Sequence, residues 1–239
     1  MTQRRSKRYT ELVKQVEAGK EHTPAEAVKL VKATSNAKFD ETVELHLRMG
    51  VDPKHADQVV RGAAVLPHGT GKSVRVIAFA QADKARDAKA AGADEVGTDD
   101  LAKKIEGGWL EFDVAVATPD VMGIVGRLGR VLGPRGLMPN PKSGTVTFDV
   151  TKAVRDAKAG RIEFRVDKTG VVHTLVGKSS FEEKALLENL AQVMDAVNRA
   201  RPSGVKGTYI RSAYLASSQG PSVKLDLGET LALAGRATG

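Results

Sequence analysis

The strongest constraint on the fold lies in residues 74–126, where short apolar runs of strand length alternate with helical patterns. The strands are predicted at residues 74–80, 95–96 and 112–117, and the helices at residues 83–91, from Thr98 or Asp99, and from Pro119. Parallel strands need a long crossover between them, and a helix is its usual form. This order therefore predicts a small doubly wound, Rossmann-like domain with a parallel sheet.

In the flanking segments the apolar residues recur with a different spacing. Val43, Leu45, Leu47 and Met49 alternate with polar residues, which indicates a strand that is buried on one face. Further strands are predicted at residues 58–66, 161–166, 171–176, 209–217 and 223–227, and helices at 7–17, from Pro24, at 151–159 and at 181–200. A hairpin turn is predicted at residues 167–170.

The two patterns together predict an α/β (α+β) protein of two domains. A split two-layer α+β domain is expected to comprise residues 1–67 plus 161–239, with residues 68–160 inserted as the doubly wound domain. The crossings near residues 67–71 and Gly160 form a natural hinge. Residues 228–239, which are small and carry little charge, are expected to be a mobile tail.

Positive charge is concentrated in one segment of this chain of net charge +8. No carboxylate occurs between Asp120 and Asp149, whereas that stretch contains Arg127, Arg130, Arg135 and Lys142, spaced by glycines and prolines. Proline fixes φ and glycine admits unusual backbone angles, so a shaped loop with unpaired positive charge is predicted. A polyanionic partner is the first one to consider.

Composition narrows the class of protein. Aromatic residues make up 4% of the chain, so base stacking is not expected as the main mode of binding. Without cysteine the chain has no disulfide or thiolate metal site. No apolar run approaches the roughly 20 residues that cross a bilayer, and no hydrophobic segment follows the basic N-terminus, so neither a membrane span nor a secretory signal is expected. The absence of cysteine fits a reduced, cytoplasmic setting.

The motifs that suggest an enzyme are incomplete. Residues 69–73 resemble a phosphate-binding loop, but Leu66 stands where its first glycine is required and a strand follows it. Gly123, Gly126, Gly129 and Gly133 form no GxGxxG motif, and their spacing suits close helix packing at least as well as close approach of a phosphate. The histidines show no metal-ligand spacing. No metal, cofactor or catalytic residue is expected.

One enzymatic alternative remains open at this point. Doubly wound sheets often bind ligands beyond the ends of their strands. The chain could therefore be a small-molecule or nucleotide-dependent enzyme that uses the inserted domain.

The first candidate contact with nucleic acid is the segment from Lys38 to Thr42. Lys38 can meet a phosphate, Phe39 can cover a sugar or base, and the acids Asp40 and Glu41 can accept from guanine or a 2′-hydroxyl. The alternative is that Phe39 enters the core.

Two further segments have a similar potential. Arg161, Glu163, Arg165 and Asp167 share one strand face, although a charged face is often merely solvated. Residues 216–222 combine serines with glycine, which allows close approach to a sugar edge. Alone, that segment would read as an ordinary turn.

These motifs occur in an order that resembles one family. They are residues 37–42 (AKFDET), 57–62 (DQVVRG), 117–120 (ATPD), 129–142 (GRVLGPRGLMPNPK), 161–170 and 204–208 (GVKGT). The set is similar to the large-subunit ribosomal protein of the mobile side stalk, the L-one family, from about residue 7 to residue 227. The length and the Leu66–Gly69 junction resemble bacterial members.

The resemblance implies the two-domain architecture and a function. Such proteins bind large-subunit rRNA in the ribosome, help move deacylated tRNA through the exit site, and repress translation of their own operon mRNA. The implied partners are therefore rRNA, exit-site tRNA and that mRNA, without a membrane or a small-molecule substrate.

The resemblance also implies an RNA surface. By position it includes Lys38, Phe39, Glu41, Thr42, Arg165, Asp167, Lys168, His173, Ser218, Gln219, Gly220, Pro221 and Ser222. The basic residues Arg127, Arg130, Arg135 and Lys142 have an expected mixed role, in contacting tRNA or rRNA and in bracing the hinge. Ser218-Gln219 stands where the family usually has Thr-Met, so the Gln219 amide needs partners of its own. The extension after Leu227 has no counterpart.

Overall fold

The computed structural model describes residues 5–17 and 19–236, apart from the side chains of residues 142 and 236. The first four residues of the basic N-terminus lie outside this part. The chain forms two compact units, one of the described residues up to Gly71 together with those from Ile162, and one of Lys72–Arg161. These bounds differ by a few residues from the domain bounds expected from the sequence.

Helices and strands alternate in the second unit and are more segregated in the first. The helices are α1 (Lys7–Val13), α2 (Pro24–Thr34), α3 (Ala82–Ala90), α4 (Asp99–Glu106), α5 (Met122–Arg127), α6 (Gly129–Leu132), α7 (Val150–Ala159), α8 (Glu183–Arg199) and α9 (Leu227–Arg236). The strands are β1 (Thr42–Met49), β2 (Arg61–Val65), β3 (Val76–Phe79), β4 (Glu95–Gly97), β5 (Val114–Ala117), β6 (Arg161–Arg165), β7 (Val171–Lys178), β8 (Ile210–Ser217) and β9 (Val223–Leu225).

A four-stranded sheet forms the centre of the discontinuous unit. Its order is β7-β1-β8-β9, and every neighbouring pair is antiparallel. Leu45 and Leu47 of β1 are fully buried in one core with residues of α2 and α8, whereas Glu44 and His46 lie on the other face. The predicted alternation is confirmed, and it leaves a polar sheet face free of the helical layer.

The start of α2 shows how the sequence sets this layer. The Thr23 hydroxyl accepts a hydrogen bond of 3.2 Å from the Glu26 N–H, and the Glu26 carboxylate accepts one of 3.3 Å from the Thr23 N–H. With Pro24 at the first helical position, this capping box defines where the helix begins.

The predicted hairpin at residues 167–170 is correct at its turn and wrong beyond it. The Asp167 N–H donates to the Val171 carbonyl at 2.8 Å, and one antiparallel bridge joins Val166 to Val172. The strands then separate, because β6 pairs with β2 in a sheet of its own while β7 pairs with β1.

The second unit confirms the doubly wound prediction. Its sheet has the order β4-β3-β5, and both pairs are parallel. Ile77 and Phe79 of β3 pack with α4, α5 and α6, whereas Val76 and Ala78 pack with α3 and α7. Helices therefore cover both faces of the sheet.

The expectation of a mobile tail after residue 227 is wrong for the residues that the structure describes. They form α9, which packs against α8. The Asp226 carboxylate accepts a hydrogen bond of 2.9 Å from the Glu229 N–H, and Thr230 and Ala234 are buried. Gly228 and the small residues obscured this helix, although Leu227, Thr230 and Ala234 follow helical spacing. Residues 237–239 lie outside the described part.

Candidate nucleic-acid interface

The two segments around Thr42 and Ser218 are adjacent in the fold, although the sequence predicted them separately. The Thr42 N–H donates to the Ser218 hydroxyl at 3.0 Å, and the Ser218 N–H donates to the Thr42 carbonyl at 3.0 Å. Lys178 of β7 also donates to the Thr42 hydroxyl at 3.0 Å. We call residues 38–42 and 218–222 together the hydroxyl surface.

Glu41 is the internal anchor of the hydroxyl surface. Its side chain accepts hydrogen bonds from the Ala37 N–H at 2.9 Å, the Ser217 hydroxyl at 2.8 Å and the Gln219 N–H at 2.9 Å. Burial raises the pKa of Glu41, but these hydrogen bonds favour the carboxylate and hold the pKa below its usual value.

The expectation that Glu41 contacts RNA directly is therefore corrected. The residue is only 1% exposed, and both of its carboxylate oxygens accept hydrogen bonds from within the protein. A carboxylate in this position holds two chain segments together, because it satisfies donors from each of them.

Phe39 and Lys38 lie at the surface. Phe39 is 52% exposed, so the alternative that it enters the core is wrong. The next residue, Asp40, turns away to accept hydrogen bonds from the Ser179 and Ser180 hydroxyls at 3.0 and 2.8 Å. Burial raises the pKa of Asp40, but the hydrogen bonds from Ser180 and Ser179 outweigh it and lower the pKa. This bracing leaves Lys38 and Phe39 as the outward-facing pair.

The loop after β8 packs closely against the end of that strand. A β-carbon on Gly220 would overlap the Ser217 hydroxyl oxygen, so glycine is required there. Ser218, Gln219 and Ser222 are exposed and Pro221 is buried. The Gln219 amide finds the partner that its polarity requires, because Arg8 donates to its Oε1 at 3.3 Å.

A second group of candidates lies at the turn between β6 and β7. The Val171 N–H and the Thr169 hydroxyl and N–H donate to Asp167 at 2.8 Å and lower its pKa to about 2. Asp167 is therefore ionised and occupied in shaping the turn, 3.7 Å from His173 Nε2. Arg165 and Lys168 are exposed.

His46 connects the two groups, and the sequence reasoning missed it. Its Nδ1 lies 2.8 Å from His173 Nδ1, and the two residues are directly opposite each other on β1 and β7. Thr42 and His46 lie on the same face of β1, about 13 Å apart at 3.3 Å per residue. Burial lowers the pKa of His46, and His173 lowers it further, against the opposing effect of Glu44. The sequence pattern of β1 placed His46 on the polar face of the strand, but it could not predict which strand would lie beside that residue.

The basic residues of the second unit form a separate group. The expected loop is partly helical, because α5 and α6 occupy it and bury Leu128 and Leu132. Arg127, Arg130 and Arg135 are exposed and form no ion pair with any carboxylate of the described residues. Lys142 lies in the 3-10 turn Pro141–Ser143, and its side chain is outside the described part.

The glycines that raised enzymatic alternatives have other roles. Gly69 and Gly71 adopt positive φ in a loop that precedes strand β3, so no helix receives a phosphate there. Apart from their own helix backbone and chain neighbours, added β-carbons on Gly123, Gly126 and Gly129 would meet no atom of the described residues within 4 Å, so the interpretation of close helix packing is wrong at these positions.

The described part of the chain contains no group of three or more histidine, aspartate or glutamate side chains arranged to hold a metal ion. None of its helices is both long and apolar enough to cross a membrane.

A discontinuous antiparallel unit with hydroxyl groups at the ends of its central strands β1 and β8, and with a doubly wound unit inserted into it, is consistent with a class of two-domain ribosomal proteins. Residues 31–221, most of the chain, match the family described as the ribosomal protein L1p/L10e family. The chain therefore belongs to the ribosomal protein L1 family. Its members are structural proteins of the large ribosomal subunit that bind rRNA, and the family is not a family of enzymes.

Proposed function

We propose that the discontinuous unit binds folded rRNA of the side stalk through the hydroxyl surface. The contacts are Lys38, Phe39, Thr42, Ser218, Gln219, Gly220 and Ser222, with Arg165, Lys168 and His173 beside them and Glu41, Asp167 and the buried Pro221 as internal supports. The observation that carries this proposal is the reciprocal hydrogen bonding of Thr42 and Ser218, which joins segments from both halves of the unit.

The chemistry of this surface favours RNA. Small hydroxyl groups and close backbone approach suit the 2′-hydroxyls and sugar edges of RNA, whereas lysine and arginine suit its phosphates. A single exposed phenylalanine adds one stacking position. Recognition in this form reads the shape of a folded RNA more than its sequence.

A substitution at Ser218 tests the surface directly. Ser218→Val removes a hydroxyl and is expected to weaken binding of a stalk rRNA fragment by about 1–3 kcal/mol. Ser203→Val is the matched control, because Ser203 is also exposed but lies outside the surface. Equal affinities of wild type and Ser218→Val would remove Ser218 from the site.

A deletion tests whether the discontinuous unit binds rRNA without the second unit. When residues 72–161 are replaced by a short linker, the remaining unit is expected to keep most of its rRNA affinity. Circular dichroism establishes whether that unit is folded. A folded unit that no longer binds would show that the second unit carries essential contacts.

The basic residues of the second unit support an additional role in translation. We propose that Arg127, Arg130, Arg135 and Lys142 contact deacylated tRNA as it leaves the exit site, or rRNA, besides bracing the hinge. The support is the exposure of the three arginines and their lack of carboxylate partners among the described residues. The double variant Arg130→Gln/Arg135→Gln should reduce the salt dependence of RNA binding if phosphates are contacted. If the salt dependence of binding did not change, only the role in bracing the hinge would remain for these residues.

The same surface supports autogenous control in the cytoplasm. We propose that the protein represses translation of its own operon mRNA, because an mRNA fold that presents similar sugars and phosphates would be recognised by the same groups. Translation of that mRNA in vitro should fall on addition of the protein and recover on addition of stalk rRNA. Translation that continues at full rate at saturating protein would contradict this role.

The most informative cellular experiment is purification of the protein with its bound RNA. We expect co-sedimentation with large ribosomal subunits and crosslinks from the hydroxyl surface to stalk rRNA. Crosslinks that map only to other RNA would contradict the proposed site.

A further inference from the structure

Helix α1 is attached to the hydroxyl surface through one arginine. The Arg8 guanidinium donates to Asn36 Oδ1 at 2.6 Å, to the Gln219 carbonyl at 3.1 Å and to Gln219 Oε1 at 3.3 Å. The family match begins at residue 31, so α1 lies outside it.

The side chains of Arg5, just before α1, and of Arg8, within it, have no carboxylate partner in the described ranges. All three acceptors of Arg8 are neutral amide or carbonyl oxygens, and neither Arg5 nor Arg8 forms an ion pair with a carboxylate in the described ranges. A guanidinium carries five N–H donors, so Arg8 keeps two that these bonds do not use. The Arg5 guanidinium lies over the Tyr9 ring, 4.7 Å from its centroid, which orients the charge without neutralising it.

These groups line an open cleft of about 450 Å³. Its walls are Arg5, Ser6, Arg8 and Tyr9 on one side and Ser218, Gln219 and Gly220 on the other. Among the described residues no carboxylate lines it, and the exposed Ser218 hydroxyl belongs to it. Two guanidinium groups beside a hydroxyl and a glycine form the chemistry that holds a phosphate, since arginine offers a planar pair of donors to phosphate oxygens.

We propose that this cleft binds a phosphodiester group of the RNA that lies on the hydroxyl surface. Arg8 donates its remaining N–H groups to the phosphate, Arg5 adds a second positive charge, and Gln219 positions Arg8. A methionine at position 219 could not accept the Arg8 hydrogen bond as an amide oxygen does. This inference rests on the proposed function and extends the RNA site to the N-terminal helix.

The test is equilibrium binding of a stalk rRNA fragment to the full-length protein over a range of salt concentrations. Arg5→Gln and Arg8→Gln are each expected to weaken binding by about fivefold or more near 0.15 M salt. Each should also make the negative slope of the log association constant against log salt concentration shallower by about 0.7–0.9. Arg199→Gln removes the same charge from α8, where Arg199 pairs with Asp195 at 2.8 Å, and should leave the slope unchanged.

The two arginine variants separate phosphate binding from a structural latch. Arg8→Gln loses both its charge and the bonds to Gln219, whereas Arg5 forms no hydrogen bond to the 218–222 loop in the described structure. A reduced slope in both variants supports the phosphate site. Slopes equal to that of wild type in both variants, with wild type still binding, would overturn this inference alone. Failure of wild type to bind the fragment would overturn it together with the proposed function.

Discussion

The Glu41 carboxylate accepts a hydrogen bond of 2.8 Å from the hydroxyl of Ser217, a residue 176 positions later in the chain. The same carboxylate accepts the Gln219 N–H, so the two halves of the discontinuous unit meet at one buried negative charge. The proposed RNA surface is thus shaped by a residue that does not itself reach the surface.

Glu41→Gln should destabilise the protein. The amide would place a donor against at least one of the three donors that now point at the carboxylate, at a cost of about 1–3 kcal/mol in the free energy of unfolding. Urea denaturation measures this change. Glu11→Gln, an exposed site on α1, is the control. Equal midpoints for the two variants would show that Glu41 does not anchor the two segments.

The contribution of the Glu41 carboxylate to stability should be lost at acidic pH. Because the pKa of Glu41 is held below its ordinary value of 4.5, the unfolded chain takes up its proton more readily than the folded protein does. Its contribution to stability is present above pH 4.5 and is lost as the pH falls through the folded-state pKa. Urea midpoints between pH 6 and pH 3 should fall more steeply for wild type than for Glu41→Gln. Parallel curves would contradict this assignment.

The titration of His46 should depend on the residue opposite it on β7. The pKa of His46 lies below 6.5, first because of burial and then because of His173. Since the unfolded chain binds this proton more readily, His46 reduces stability as the pH falls below 6.5. NMR titration should place the His46 midpoint below 6.5, and His173→Gln should move it upward. A His46 midpoint at or above 6.5 in wild type would contradict this geometry.

Two glycines should respond to alanine in opposite directions. A β-carbon on Gly62 would lie 2.6 Å from Cζ of the buried Phe164 ring, so Gly62→Ala should destabilise the protein by about 1–3 kcal/mol. Gly126 lies in α5 and a β-carbon there would meet nothing within 4 Å, so Gly126→Ala should stabilise by about 0.5–1 kcal/mol. Thermal unfolding of both variants measures the difference, and a stable Gly62→Ala would be inconsistent with this packing.

Local patterns in the sequence were sufficient for much of the fold. The alternation of Leu45 and Leu47 with Glu44 and His46 predicted β1, and the strand–helix order predicted the parallel sheet, because each depends on neighbours along the chain. The capping box at Thr23 marked the start of α2 for the same reason.

Features that depend on distant partners were missed. Glu41 is acidic and next to exposed residues, so only the fold shows that Ser217 and Gln219 enclose it. His46 needs β7 beside it before its pairing with His173 is visible. Ala234 of helix α9 is buried, and α9 packs against α8, which the local sequence cannot show. The glycines of this segment instead led to the prediction of a mobile tail.

The claim that the hydroxyl surface of the discontinuous unit binds rRNA is tested most directly by comparing two exposed phenylalanines, one from each unit. Phe39 is 52% exposed in the discontinuous unit, and Phe148 is 65% exposed in the other. Phe39→Ala should weaken binding of stalk rRNA by about 1–3 kcal/mol, whereas Phe148→Ala should leave it within about twofold. Unchanged affinity in Phe39→Ala, or an equal loss in Phe148→Ala, would contradict the account.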